Sequence, residues 1–323
     1  MTSEQPALRS AAPLAAPLHP PTGRPAGKLG GILCVLGAVA IWGPTYVATK
    51  IVLSEMRPFL LVFVRFLLST VFLAPLAWTT WRRLPAKPRL PLGKLAAMGL
   101  TGAALYYALQ NAGQTYVTAV EASLFSALLP AITAVVAWLL VRERLGLWGL
   151  GGVALAVAGV VFMTIGSSSG QGGLSLSLTG YLLLLGGDVS WAVFTIIGQE
   201  VNASLPAAIV AFFNIAWGTL FVLPLTLYDL AGAGWPHVSL LSWAMIAFLG
   251  LGGSGLTFIL WNHGLKTLSP GEATTLTNLV PFLGAASGSL VLKEPLTWAH
   301  LWGALLVVGG VLLVTRPSQR PQA

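Results

Sequence analysis

The sequence predicts an all-α integral membrane protein of ten transmembrane helices, built as two inverted five-helix repeats. Composition is the first observation: 56% of the residues are apolar and 8% charged, with a mean hydropathy of +0.82, whereas soluble domains carry about 25% charged residues. Apolar segments long enough to cross a hydrocarbon core are the second, and they recur ten times between short polar loops. The third is internal duplication. The stretch Gly99 to Thr164 is written again 151 positions later without a gap, so that Gly99 meets Gly250, Asn111 meets Asn262, Glu121 meets Glu272, Pro130 meets Pro281, Glu143 meets Glu294 and Thr164 meets Thr315. Apolar composition alone does not keep prolines, amides and carboxylates in register over such a distance.

Residues 1–28 are rich in Pro and Ala, with no apolar run long enough for the core of a signal peptide, and read as a disordered cytoplasmic tail. The apolar segments then run from Gly30 to Val52, Phe59 to Trp78, Leu95 to Gln114, Val117 to Val141 and Leu145 to Ile165. A Gly/Ser-rich linker, 167–177, separates these from Gly180 to Ile197, Ala207 to Leu227, Leu241 to Trp261, Ala273 to Leu292 and Trp298 to Thr315. Each is read as a helix, because backbone polar groups in lipid must be satisfied within the segment and no period-2 alternation points to a barrel. The organisation is thus a first repeat over 29–166, a second over 178–316, and a short cytoplasmic tail, 317–323.

Basic residues orient the segments. Arg82, Arg83, Lys87, Arg89, Lys94, Arg142, Arg144 and Lys266 fall on the side of both termini, and only Lys50, Arg57 and Lys293 lie near the other. The positive-inside bias places both termini of a multi-pass cell-membrane protein in the cytoplasm. Because each half holds an odd number of crossings, the halves point in opposite senses, the construction used for alternating access. The first helices of the halves pair at an offset of 149, where Gly31 meets Gly180, Trp42 meets Trp191 and Pro75 meets Pro224.

The run Ile41-Trp42-Gly43-Pro44-Thr45-Tyr46-Val47, the Phe63-Val64-Arg65-Phe66 stretch, and the doubled pattern from Glu121 through Pro130 to Glu143 resemble the EamA family of the drug/metabolite transporter superfamily. The resemblance covers about residues 30 to 316. It implies a ten-helix carrier with a central cavity between the halves, exporting small metabolites such as amino acids or drugs. Asp188 departs from it, standing where the family usually has an apolar or small residue. A nucleotide-sugar or lipid-precursor carrier of the same superfamily is the alternative job for this fold.

An ionisable group at the bilayer centre costs about 2.5 to 3.5 kcal/mol on insertion scales, so Arg65 and Asp188 should face the bundle interior or a cavity. Arg65 is a candidate to hold an anionic substrate group by bidentate hydrogen bonds, or to tie its helix to carbonyls or a carboxylate. Asp188 is the candidate for proton coupling, or a partner for Arg65 or another donor. Glu121 and Glu272 lie near helix starts, where a carboxylate complements the helix dipole; they either cap or gate. Pro130 and Pro281 are expected to interrupt their helices, either for packing or at the substrate site. Tyr46, Tyr107, Gln110, Asn111, Trp191, Trp261, Asn262 and Asn278 are candidates to line the cavity, aromatic rings for apolar or cationic parts of a solute and amides for its polar groups. Asparagines at matched positions also serve as interhelical glue.

Other chemistry finds little support. The pattern Gly250-Leu251-Gly252-Gly253-Ser254-Gly255 lies in an apolar helix with no strand before it, so no dinucleotide is expected. Four scattered histidines and the lone Cys34 make no catalytic set, and no enzyme, cofactor or metal site is predicted. The net charge of +8 is spread over loops without interleaved aromatics, which argues against nucleic acid. The expected partners are a small-molecule substrate, the lipid bilayer and protons.

Overall fold

In the computed structural model the described residues are 25–141, 146–167, 173–268, 273 and 276–314, and among them every regular element is helical. The chain forms α1 (Pro25–Leu53) and α2 (Pro58–Arg83), then a run of α3 (Leu92–Met98), a π-helical stretch (Gly99–Leu105) and α4 (Tyr106–Gln114). After it come α5 (Ala119–Phe125), a 3₁₀ turn (Ser126–Leu128), α6 (Leu129–Val141) and α7 (Leu147–Ser167). The second half runs through α8 (Gly173–Ser204), α9 (Ala207–Ala233), α10 (Leu240–Ala247), a second π-helical stretch (Phe248–Leu256), α11 (Thr257–Gly264), α12 (Val280–Val291) and α13 (Trp298–Val314). Glu143 and Glu272 lie outside the described residues.

Among the described residues, six helices are long and apolar enough to span a membrane: Gly27–Leu53, Pro58–Arg83, Ala119–Leu140, Leu178–Ser204, Ala207–Ala233 and Leu240–Gly264. Shorter apolar helices cover Leu147–Met163, Val280–Val291 and Trp298–Val314. The 26 residues of α2 extend about 39 Å, more than the hydrocarbon core of about 30 Å. This is a multi-span membrane protein.

Local chemistry sets the ends. Pro58 opens α2, where a missing N–H costs nothing, and Pro25 opens α1 inside the stretch expected to be a tail. Helix α8 likewise begins within the Gly/Ser-rich linker. Thr118 and Glu121 close a capping box on α5. Pro130 lies midway along the Ala119–Leu140 span, in the first turn of α6 directly after the 3₁₀ turn that interrupts it, and Pro281 lies in the first turn of α12, directly after the turn at 278–279, both positions that need no intrahelical N–H bond.

The duplication reappears in three dimensions. The π-helical stretches fall at matched positions, since Gly99 is the counterpart of Gly250. Gly99 abuts the Asn214 carbonyl of α9, and Gly250 abuts the Arg65 carbonyl of α2, Arg65 and Asn214 being counterparts at an offset of 149. Residues also meet their own counterparts: the hydroxyls of Thr70 and Thr219 are 3.2 Å apart, and Trp42 meets Trp191 edge-to-face with centroids 6.0 Å apart.

Counterpart helices run antiparallel. In α2 and α9, Phe59 N–H donates to Asp229 of the far end (2.9 Å), while Thr70 lies on Thr219. In α7 and α13, a Cβ on Gly152 would lie 2.5 Å from Gly310 O, and one on Gly159 2.6 Å from Gly303 O. These glycines are what allows the two backbones to touch.

Candidate functional site

The site grows out of α1, where Trp42, Tyr46 and Lys50 recur at helical spacing, and Thr45 and Thr49 fall beside them. The face they make meets α2 through Arg65, the π-to-α4 run through Tyr106, Tyr107, Gln110, Asn111 and Gln114, and α8 through Trp191. Ser126, Leu129, Thr277 and Val280 complete the wall of a cavity of ≈ 650 Å³, counted out to its mouth.

Arg65 is 2% exposed. Its Nε and Nη2 donate to Ser254 Oγ at 3.1 and 2.8 Å, Nη2 reaches the Leu249 carbonyl at 3.4 Å, and the guanidinium carbon lies 4.5 Å from the Tyr107 ring centroid. The second π-helical stretch makes this possible: its wide turn brings the Leu249 carbonyl and the Ser254 hydroxyl to one side of α2. The same glycine-rich run that mimics a nucleotide motif therefore builds the cradle of a buried cation.

Aromatic rings enclose the cavity on one side. Trp191 contacts Trp42, Tyr106, Phe194 and Phe258 with centroids 4.8 to 6.0 Å apart. Amides occupy the other. Gln110 Nε2 donates to Tyr46 Oη (3.1 Å), while Gln110 Oε1, Asn111 Nδ2 and Gln114 Oε1 are buried with no hydrogen-bond partner among the described residues. Buried polar atoms of this kind are costly, and a bound solute with matching donors and acceptors would offset that cost.

Asp188 stands apart from Arg65. It is buried, and among the described residues no basic nitrogen pairs with it; its Oδ2 has no hydrogen-bond partner there either. Its neighbour Gly187 packs on the Tyr106 carbonyl, which places Asp188 at the α4–α8 seam.

Polar bonds close one end. Lys50 Nζ donates to the carbonyls of Gln114 (2.7 Å) and Val117 (2.6 Å) at the end of α4. Below them, the Glu294 carboxylate accepts from Ala119 N (2.9 Å) and Val120 N (2.8 Å), capping α5 from the other half. The neighbouring Lys293 holds φ 57°, a turn that aims Glu294 at α5. Glu294 thus satisfies two orphan amides at the start of α5.

Six of the sequence-predicted candidates, Tyr46, Arg65, Tyr107, Gln110, Asn111 and Trp191, come together on the cavity wall. Trp261 lies behind Trp42 at 5.5 Å, and Asn262 turns its Nδ2 onto the Phe258 carbonyl (2.6 Å). Asn278 is half-buried beside Thr277, which does line the wall. Sequence reasoning did not single out Ser254, Thr49, Ser126 or Thr277; their signal is the helical spacing from Tyr46 for Thr49 and the glycine run for Ser254.

Comparison with known proteins places this geometry. The model of the EamA-like transporter family matches residues 29–165 and again 178–316. The chain is 25% identical to the uncharacterized transporter YetK of Bacillus subtilis, over 92% of this chain and 90% of the relative. It is 29% identical to a probable amino-acid metabolite efflux pump of Salmonella typhimurium, over 88% and 93%. It is 27% identical to a probable terminal-alkyne amino-acid exporter of Streptantibioticus cattleyicolor, over 86% and 91%. A solved crystal structure shares the fold, with a TM-score of 0.62 at 23% identity over 90% of this chain and 96% of that one. With two family matches that together span most of its length, the chain belongs to the EamA-like transporter family, membrane transporters of the drug/metabolite superfamily.

Proposed function

We propose that this protein is a secondary-active exporter of small metabolites of the amino-acid type, working by alternating access around the cavity between its halves. Ten crossings as two inverted repeats fit the antiparallel course of counterpart helices and the self-meeting pairs Thr70–Thr219 and Trp42–Trp191. With both termini in the cytoplasm, the Lys50 end of the cavity faces outward. The names of relatives, a probable amino-acid metabolite efflux pump and a probable terminal-alkyne amino-acid exporter, favour export of an amino-acid-type solute.

One observation carries the reading: a buried guanidinium, an aromatic wall and unpartnered amides converge on one cavity. Arg65 would take the solute's carboxylate, the Trp42–Trp191 wall its apolar part, and Gln110 and Asn111 its remaining polar groups. Asp188 would carry the coupling proton at the α4–α8 seam. For the outer end to open, Lys50 must leave the α4 carbonyls.

Counterflow in proteoliposomes tests the proposal. Vesicles loaded with an unlabelled amino acid should accumulate the labelled one, and a pH gradient should drive net flux. Failure of a broad panel of amino acids and amphipathic drugs to exchange would overturn it.

A further inference from the structure

A second groove lies outside the bundle, between the last turns of α2 and the first turns of α9. Ala74, Pro75, Trp78 and Trp81 form one wall, Phe212 and Phe213 the other, and its volume is ≈ 1090 Å³ counted out to its mouth. Pro75 and Trp78 are exposed, so the groove opens sideways, on the face α2 turns away from the bundle.

Pseudo-symmetry explains why it is open. At the other end of the same helix pair, Asp229 accepts from Phe59 N and Leu60 N, and Thr226 donates to the Phe59 carbonyl (3.2 Å), which draws the helices together. The counterparts of Asp229 and Thr226 are Thr80 and Ala77, and no described hydrogen bond ties either of them to α9. The ends separate and leave an apolar slot.

The mouth of this slot is positively charged. The Arg82 guanidinium lies 5.9 Å from the Trp78 ring centroid and Lys87 Nζ 5.1 Å from that of Trp81, and Lys87 also donates to the Trp81 carbonyl. Arg83 and Arg89 flank them, all four are exposed, and no acidic residue occurs between Arg57 and Val120. The nearby Glu200 is already paired with Lys94.

We propose that this groove is a binding site for one anionic glycerophospholipid, an acyl chain filling the slot and the phosphate held by Arg82 and Lys87. Both parts of the ligand are specified: an apolar slot open to the bilayer selects a chain, and cations seated on the tryptophans of its wall select a negative head group. The site is independent of the transport reading, needing only the membrane-embedded fold.

The full chain, purified in mild detergent and delipidated, should be titrated with phosphatidylglycerol or phosphatidylcholine of the same acyl chains, bound lipid being counted by native mass spectrometry. Phosphatidylglycerol should be retained about 25-fold better, from about fivefold for each of two cations. The pair Arg82→Gln/Lys87→Gln should bring the ratio near unity, and Ala74→Phe, which fills the slot with the charges intact, should weaken both lipids. Lys266→Gln, an exposed cation elsewhere, should leave the ratio unchanged. Monodisperse elution and unchanged helical circular dichroism qualify each variant, and Ala74→Phe carries the test if the charge pair does not fold. Equal retention of the two lipids overturns the proposal, as does a preference that survives both the charge pair and Ala74→Phe. Displacement of the lipid by millimolar inorganic phosphate would overturn it as well, marking a site for a free anion.

Discussion

Arg65 has no carboxylate partner among the described residues; it is held by a hydroxyl, a carbonyl and a ring. A cation so placed keeps its charge available to a ligand. Charge-assisted hydrogen bonds contribute about 1.5–3 kcal/mol, so Arg65→Gln is expected to weaken binding of a carboxylate-bearing solute by about 10- to 100-fold, measured by scintillation proximity on purified protein. An unchanged affinity would leave Arg65 as a structural tie. Ser254→Ala removes one support from the guanidinium and should cost about 1–2 kcal/mol in unfolding, with a smaller effect on affinity than Arg65→Gln. For Asp188 the expected outcome is different: Asp188→Asn should retain counterflow, which needs no net proton movement, while abolishing flux driven by a pH gradient. Retained gradient-driven flux would remove Asp188 from coupling.

At the level of elements, helices are joined by caps donated from distant segments. Asp229 satisfies two amides of α2, and Asp229→Ala, which orphans them, should destabilise the fold by about 1–3 kcal/mol. Glu55, in the connection between α1 and α2, accepts from Ser239 N (2.7 Å) and Ser239 Oγ (2.8 Å) at the start of α10. These bonds hold its carboxyl below the ordinary carboxylate range. A depressed folded value means that the tether is intact above the unfolded value, about 4.3, and is lost as pH falls through the folded one. Protection of the Ser239 amide, its exchange rate taken relative to the intrinsic rate at each pH, should therefore fall on acidification below that range, and Glu55→Gln should remove this pH dependence of the protection.

Much of this layer was open to sequence reading and some was not. Apolar length located the helices, and the place of Glu121 near a helix start announced its capping role, though not its partner Thr118. Nothing local announces that Gly99–Leu105 and Phe248–Leu256 wind as π-helix, because the wide turn is fixed by the helix packed on it. The partner of Glu294 was equally hidden, 175 positions away at Ala119. Of the candidate site, the aromatic and amide positions on α1, α4 and α8 follow from helical spacing. Ser254 and Thr277 required knowing which helices cross.

On the scale of the whole molecule, the two halves do not stand side by side as finished bundles. Each places its helices on the antiparallel counterparts in the other, α2 on α9 and α7 on α13, the second pair with glycine contacts so close that side chains are excluded. Gly159→Leu or Gly310→Leu should separate α7 from α13 and cost more than about 3 kcal/mol, as overpacking of a tight interface does, read as loss of monodisperse protein. The glycine seam has a corollary for biosynthesis. A ribosome that has released only the first 166 residues has delivered a segment whose bare backbone groove awaits α13 from the second half. Maturation is thus completed by the second half. Two fragments divided at the Gly/Ser-rich stretch and expressed together should rescue each other into a working carrier, whereas either alone should be cleared by membrane quality control.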